Sequence, residues 1–97
     1  MVKEIRWSLR ANKDRLDILE YWTNRNKSNN YSLKLDKLFR ESIELMAEIP
    51  EMGKPTDFPN VRIKIVRDYL IYYRVKSICI EIITIWDSRR NPQKLKL

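Results

Sequence analysis

Histidine is absent from the 97 residues. That removes the commonest general base, the commonest metal ligand and the imidazole partner of a serine or cysteine nucleophile. Cysteine occurs once, as Cys79, so no intrachain disulfide can form. Inside an apolar run it reads as a small buried thiol, not a nucleophile. Glycine also occurs once, as Gly53. One glycine cannot build a phosphate-cradling loop, and turns that need positive φ must use other residues or wider loops. No apolar stretch approaches the ~18 residues that span a bilayer, and MVKEIRWSLR lacks the apolar region of a signal peptide. The expectation is a protein of the reducing cytoplasm.

What is present is positive charge. Twenty Lys and Arg face 13 Asp and Glu, for a net charge of +7 and a sequence pI near 9.7. Such a field attracts polyanions: nucleic acid, an acidic protein or an anionic membrane surface. A charge that only keeps the chain in solution is the plainer alternative. The composition, 43% hydrophobic and 34% charged, suits a folded globule. One domain over residues 1–97 is expected, with a thin core that buries roughly 60–65% of the unfolded surface.

The periodicity divides the chain. Residues 3–10 alternate, with Ile5, Trp7 and Leu9 on one side, as in a half-buried strand. Asn12 is placed to cap a helix, with Asp14 in its first turn and Leu16, Ile18, Leu19 and Trp22 on its apolar stripe. The polar stretch 24–30, NRNKSNN, breaks it. A second helix carries Tyr31, Leu35, Leu38, Phe39, Ser42, Leu45, Met46 and Ile49 at steps of three and four, and Pro50 ends it. Its acids, Asp36, Glu41, Glu44 and Glu48, read as a solvated face. After a loop over 51–60 the period becomes two, in VRIKIV (61–66), LIYYRV (70–75) and ICIEIITIW (78–86). Their short links allow only antiparallel hairpins. The fold class is α+β: an N-terminal strand, an antiparallel helical hairpin, then a three-stranded antiparallel meander in one sheet. The first strand is assigned to the sheet's free edge and the apolar last strand to its interior.

No acids form a spaced catalytic or metal-binding pair. The cations are better ordered. Arg62 and Lys64 alternate on one strand, opposite Val61, Ile63 and Ile65, and are assigned to the solvent face of the sheet. Arg67 follows at the turn, Arg74 ends the next strand, and Tyr69, Tyr72 and Tyr73 are interleaved. Because strand neighbours point oppositely, either Tyr72 or Tyr73 must pack inward. In IITIWDSRRNP (82–92), Ile82, Ile83 and Ile85 anchor the strand, Asp87 and Ser88 turn it out, and Pro92 stops further pairing. Trp86, Arg89 and Arg90 then stand at the exit, on a rigid pedestal. Such cations and aromatics suit a nucleic-acid backbone or an acidic protein.

The helical hairpin, the loop, VRIKIVRDYLIYYRV and ICIEIITIWDSRRNP, in this order, resemble the RelE/ParE superfamily. Its members are toxin subunits of bacterial type II toxin–antitoxin modules, also called plasmid stabilisation proteins. The most specific pieces are the Y-x-I/V-x-Y-type strand at 69–73 and the ending I-x-x-I-x-D/H-x-R-R-x-P at 82–92. The resemblance implies a RelE/ParE toxin-like fold and a cognate acidic antitoxin whose C-terminal segment wraps the toxin. No cofactor, metal or membrane is expected, from the missing histidine, the lack of spaced acids and the lack of a bilayer-length apolar run. RelE-like members cut mRNA on the ribosome, with cations stabilising attack by the RNA's own 2′-hydroxyl. Under that reading Arg62, Lys64, Arg89 and Tyr73, or Tyr72, form the catalytic set. ParE-like members inhibit DNA gyrase by binding, and Arg62, Lys64, Arg67, Arg74, Trp86, Arg89 and Arg90 then contact target or antitoxin. Leu70 stands where RelE-like chains carry an arginine, and residues 91–94 supply no Tyr or His. Both departures favour a ParE-like toxin over a ribosome-dependent endoribonuclease. A relative that only binds its antitoxin is the third reading.

Overall fold

Ser8 both ends the first strand and starts the first helix. A computed structural model describes residues 2–97, and in it β1 (Glu4–Trp7) leads directly into α1 (Leu9–Asn26). The Ser8 hydroxyl accepts from the Ala11 N–H at 2.9 Å and donates to the Ile83 carbonyl at 2.8 Å. This one side chain therefore caps the helix and ties it to the sheet. The strand is shorter than the alternation over residues 3–10 suggests: Leu9 lies in the first helical turn and is 90% exposed. Asn12 sits within the helix, bonded to the Ser8 carbonyl, and the first turn holds no acid. Leu16 is also exposed, whereas Ala11 is buried and Ile18, Leu19 and Trp22 pack on the core.

α1 stops without glycine. Lys27 takes φ 52° and its N–H bonds to the Thr23 carbonyl, so only residues 27–29 separate α1 from α2 (Asn30–Glu48). α2 buries Ser32, Leu35, Phe39, Ile43, Met46 and Ala47. Each large apolar member contributes about 1.5–3 kcal/mol. Leu45 and Ile49, expected on this stripe, are instead exposed. The helices pair as an antiparallel hairpin: Thr23 meets Ser32 at 2.8 Å near the loop, and Arg15 meets Asp36 at 2.6 and 2.9 Å farther from it. Asp36, assigned from sequence to the solvated face, thus serves an interhelical bridge and also meets Arg40.

Beyond a 3-10 turn at Pro50–Met52 come β2 (Lys54–Pro55), β3 (Val61–Val66), β4 (Tyr69–Val75) and β5 (Cys79–Asp87). The sheet order is β1-β5-β4-β3-β2. The meander β3–β4–β5 is antiparallel as expected, but β1 runs parallel to β5, so the sheet is mixed. β5 lies inside, as its apolar sequence requires. The two-residue β2 escapes sequence reading because Pro55 tolerates only an edge position. A two-residue link, Arg67-Asp68, joins β3 to β4 with Arg67 at φ 56°. Gly53 is used for proximity: a Cβ there would lie 2.5 Å from the Tyr73 hydroxyl and 2.8 Å from the Ile63 carbonyl.

Register overturns one assignment of faces. Arg62, Lys64 and Val66 sit opposite Tyr73, Ile71 and Tyr69, all three of which are buried in the core beneath the helices. Directly paired residues share a face. Arg62 and Lys64 therefore lie on the helix side, half-buried, while Ile63 and Ile65 lie on the outer side and Ile65 is 51% exposed. The alternation of β3 holds in the opposite phase: Val61, Ile63 and Ile65 take the face without helices, and Arg62 and Lys64 share the helix face with Val66. Among the described residues no helix is long and apolar enough to cross a membrane.

Candidate functional site

The cations predicted as one patch fall into two groups at opposite ends of the sheet. Where β3 turns into β4, the Ser88 N–H bonds to the Asp68 carbonyl at 2.8 Å. That bond sets the β5 exit beside the hairpin and brings Arg67, Arg89 and Arg90 to one end. Val61 pairs with Arg74 and Arg62 with Tyr73 at the other end. Lys64 lies between them on the helix side.

The exit of β5 is held by its own side chains. The Asp87 carboxylate accepts from the Arg89 backbone N–H at 2.9 Å, from its Nε at 3.0 Å and from its terminal nitrogen at 2.8 Å. This pairing lowers the Asp87 carboxyl below its ordinary pKa against a smaller opposing effect of burial, and it raises the Arg89 guanidinium. Arg89 is thus held in an ion pair within the chain, which answers much of the charge that the pedestal reading offers to a guest. Arg90 is different: its guanidinium lies 4.2 Å from the Trp86 ring centroid and makes no ion pair among the described residues. Trp86 is 5% exposed.

Both arginines border a groove of about 420 Å³ between α1 and the sheet, with Asp14, Ile18, Tyr21 and Tyr69 on its walls. Tyr69 is buried and its hydroxyl accepts from the Trp22 indole at 2.8 Å. Burial pushes its pKa up, with the Trp22 hydrogen bond opposing. At the floor, Asp14 accepts from the Thr84 hydroxyl and from the Ile85 N–H at 3.2 Å. Here β5 bulges: Tyr73 pairs with Ile82 but Tyr72 with Thr84, leaving Ile83 over. Sequence reading missed this clamp because Asp14 and Thr84 are 70 residues apart.

The other end is structural. Arg62 donates to the Gly53 carbonyl at 2.8 Å and the Glu51 carbonyl at 3.1 Å. Tyr73 is fully buried; its hydroxyl donates to the Pro50 carbonyl at 2.8 Å and accepts from the Gly53 N–H at 3.0 Å. Tyr72 is the outward neighbour, on the face where Leu95 and Leu97 fold back beside Ile63. Arg10 fastens this tail by donating to the Lys96 carbonyl. Arg74 approaches Glu81 at 4.0 Å and the Pro59 carbonyl at 3.3 Å. Among the described residues no three acids or thiols group as a metal site.

A family model described as the ParE toxin of type II toxin-antitoxin system, parDE, matches residues 5–92. Comparison with curated proteins gives no match. Among solved structures, the chromosomal ParDE TA system from P. aeruginosa matches with a TM-score of 0.77 at 20% identity. That match covers 89% of this chain and 96% of the other. At this identity the likeness bears on the fold alone.

Proposed function

The chain belongs to the ParE toxin family of type II toxin–antitoxin systems, and from that premise we propose that an acidic cognate antitoxin neutralises it and that the freed toxin inhibits DNA gyrase by binding. The net charge of +7 supports an acidic partner. β1 is an edge strand, and an extended antitoxin segment can add to such an edge as it folds on binding.

The observation that carries binding over RNA cleavage is the dispersal of the candidate catalytic set. Tyr73 is buried with its hydroxyl donating and accepting, Arg62 is spent on two carbonyls, and Arg89 lies at the opposite end of the sheet. Transition-state stabilisation needs donors converging on one developing charge. The contact set under this reading is the β5 exit with Arg67, Arg89 and Arg90.

Two assays test the proposal. The purified chain is added to gyrase and relaxed plasmid, where supercoiling should stop, and to translating ribosomes, where mRNA should stay intact. In cells without antitoxin, a DNA-damage response should precede any loss of protein synthesis. Cleavage of mRNA on the ribosome with gyrase unaffected would replace this reading with the endoribonuclease.

A further inference from the structure

We propose that Trp86 and Arg90 together form a carboxylate-binding site for the antitoxin, in which one acidic side chain accepts from the indole N–H and the guanidinium at once. The inference rests on the antitoxin reading above and adds where, and through which donors, the acidic partner is held.

Trp86 Nε1 is buried and has no hydrogen-bond partner among the described residues. An indole can only donate, and buried donors are nearly always paired, so an orphan is a standing cost of the free chain. The Arg90 guanidinium covers the ring at 4.2 Å and forms no ion pair among the described residues. The nearby Asp87 cannot serve either group well, since its oxygens are taken by three donors of Arg89. One spot on the surface thus holds an unsatisfied donor beneath an unneutralised cation and supplies no acceptor. Only an acceptor-rich anion completes both. Arg90 lies in the exposed segment beyond β5, so its guanidinium is free to turn toward an acid that also meets the indole N–H.

The surroundings favour a protein carboxylate over a phosphate. Trp86 pairs across the sheet with Leu70, and Leu70 with Ile65, giving an apolar row on the outer face that ends in a 51% exposed isoleucine. The tail residues Leu95 and Leu97 line a pocket with Ile63 and Tyr72 farther along this face. A peptide with an acid beside apolar side chains matches a cation at the end of an apolar row. A nucleic-acid backbone would leave the Ile65 end of the row in water.

The test compares wild type with Trp86→Phe and Arg90→Gln, each purified and titrated with the antitoxin encoded beside this chain. Trp86→Phe keeps an aromatic face under the guanidinium but removes the N–H together with part of a buried ring. The free variant should stay folded with a lower unfolding temperature from the space left behind, while its affinity for antitoxin falls about tenfold or more. Arg90→Gln should lose a similar factor, and the double variant less than the product of the two, because both donors serve one carboxylate. Unchanged affinity in both single variants overturns the site and leaves the antitoxin reading standing. Failure of wild type to bind antitoxin overturns both. Loss of binding to a DNA duplex, with antitoxin affinity intact, would assign the donors to phosphate and overturn the proposal.

Discussion

The Tyr73 hydroxyl occupies the space that a Cβ on Gly53 would fill. It accepts from the Gly53 N–H at 3.0 Å and donates to the Pro50 carbonyl at 2.8 Å, closing the turn after α2 against β4. Tyr73→Phe leaves two backbone groups without this partner, and should cost about 1–3 kcal/mol in urea unfolding. Gly53→Ala should cost more, since the methyl would displace the hydroxyl and crowd the Ile63 carbonyl as well. A Tyr73→Phe chain as stable as wild type would show that water or a shifted turn replaces the hydroxyl.

The Asp14 clamp joins α1 to the bulge of β5, so Asp14 and Thr84 should be energetically coupled. Asp14→Asn and Thr84→Val each remove part of the bridge, and the Ile85 N–H also relies on the same carboxylate oxygen. A double-mutant cycle in urea should give a coupling of about 0.5–3 kcal/mol. Strict additivity would mean that the bulge is held by the ladder alone.

Much of this architecture was legible because periodicity reports burial. The two helices, the meander and the interior place of ICIEIITI all follow from spacing. What failed had competing local chemistry. Ser8 could be read as one more outward strand residue, but its hydroxyl made it the cap, which turned Leu9 out to solvent. Arg62 and Lys64 alternate clearly, yet alternation cannot tell which face the helices cover; Val66, opposite Tyr69, decides it. At the β5 exit the run Trp86-Asp87-Ser88-Arg89-Arg90 predicts cations offered outward, and the structure pairs Arg89 within the chain and lays Arg90 over Trp86. The sequence could not say that Asp87 would neutralise the first while the second stacked on tryptophan.

That pairing makes stability depend on pH. The Asp87 carboxyl is held below its ordinary value of 3.8, chiefly by Arg89. A depressed folded pKa gives stability that is present above the unfolded value and is lost as pH falls through the folded one. The stability difference between wild type and Asp87→Asn should therefore be greatest above about pH 4 and shrink on acidification. High salt should reduce it too, because the pair is exposed. A difference that stays constant from neutral pH to pH 2 would remove the ion pair as its source.

Arg62 separates structural from catalytic use of the same cation. Its guanidinium reaches the Gly53 and Glu51 carbonyls, so Arg62→Ala leaves two acceptors of the 3-10 turn without their donor. Bonds from a charged donor are worth about 1.5–3 kcal/mol, so a loss in that range is expected in urea unfolding. Growth inhibition by the folded fraction should persist, because the residue does not share an end of the sheet with Arg89 and Arg90. Arg89→Ala with Arg90→Ala should relieve growth inhibition in a chain that still folds: the variant loses the exposed Asp87 pair and the cover over Trp86, a small stability cost, while the rest of the core is untouched. If Arg62→Ala instead kept full stability and abolished toxicity, its bonds to the turn would be incidental and the endoribonuclease reading would regain its central cation.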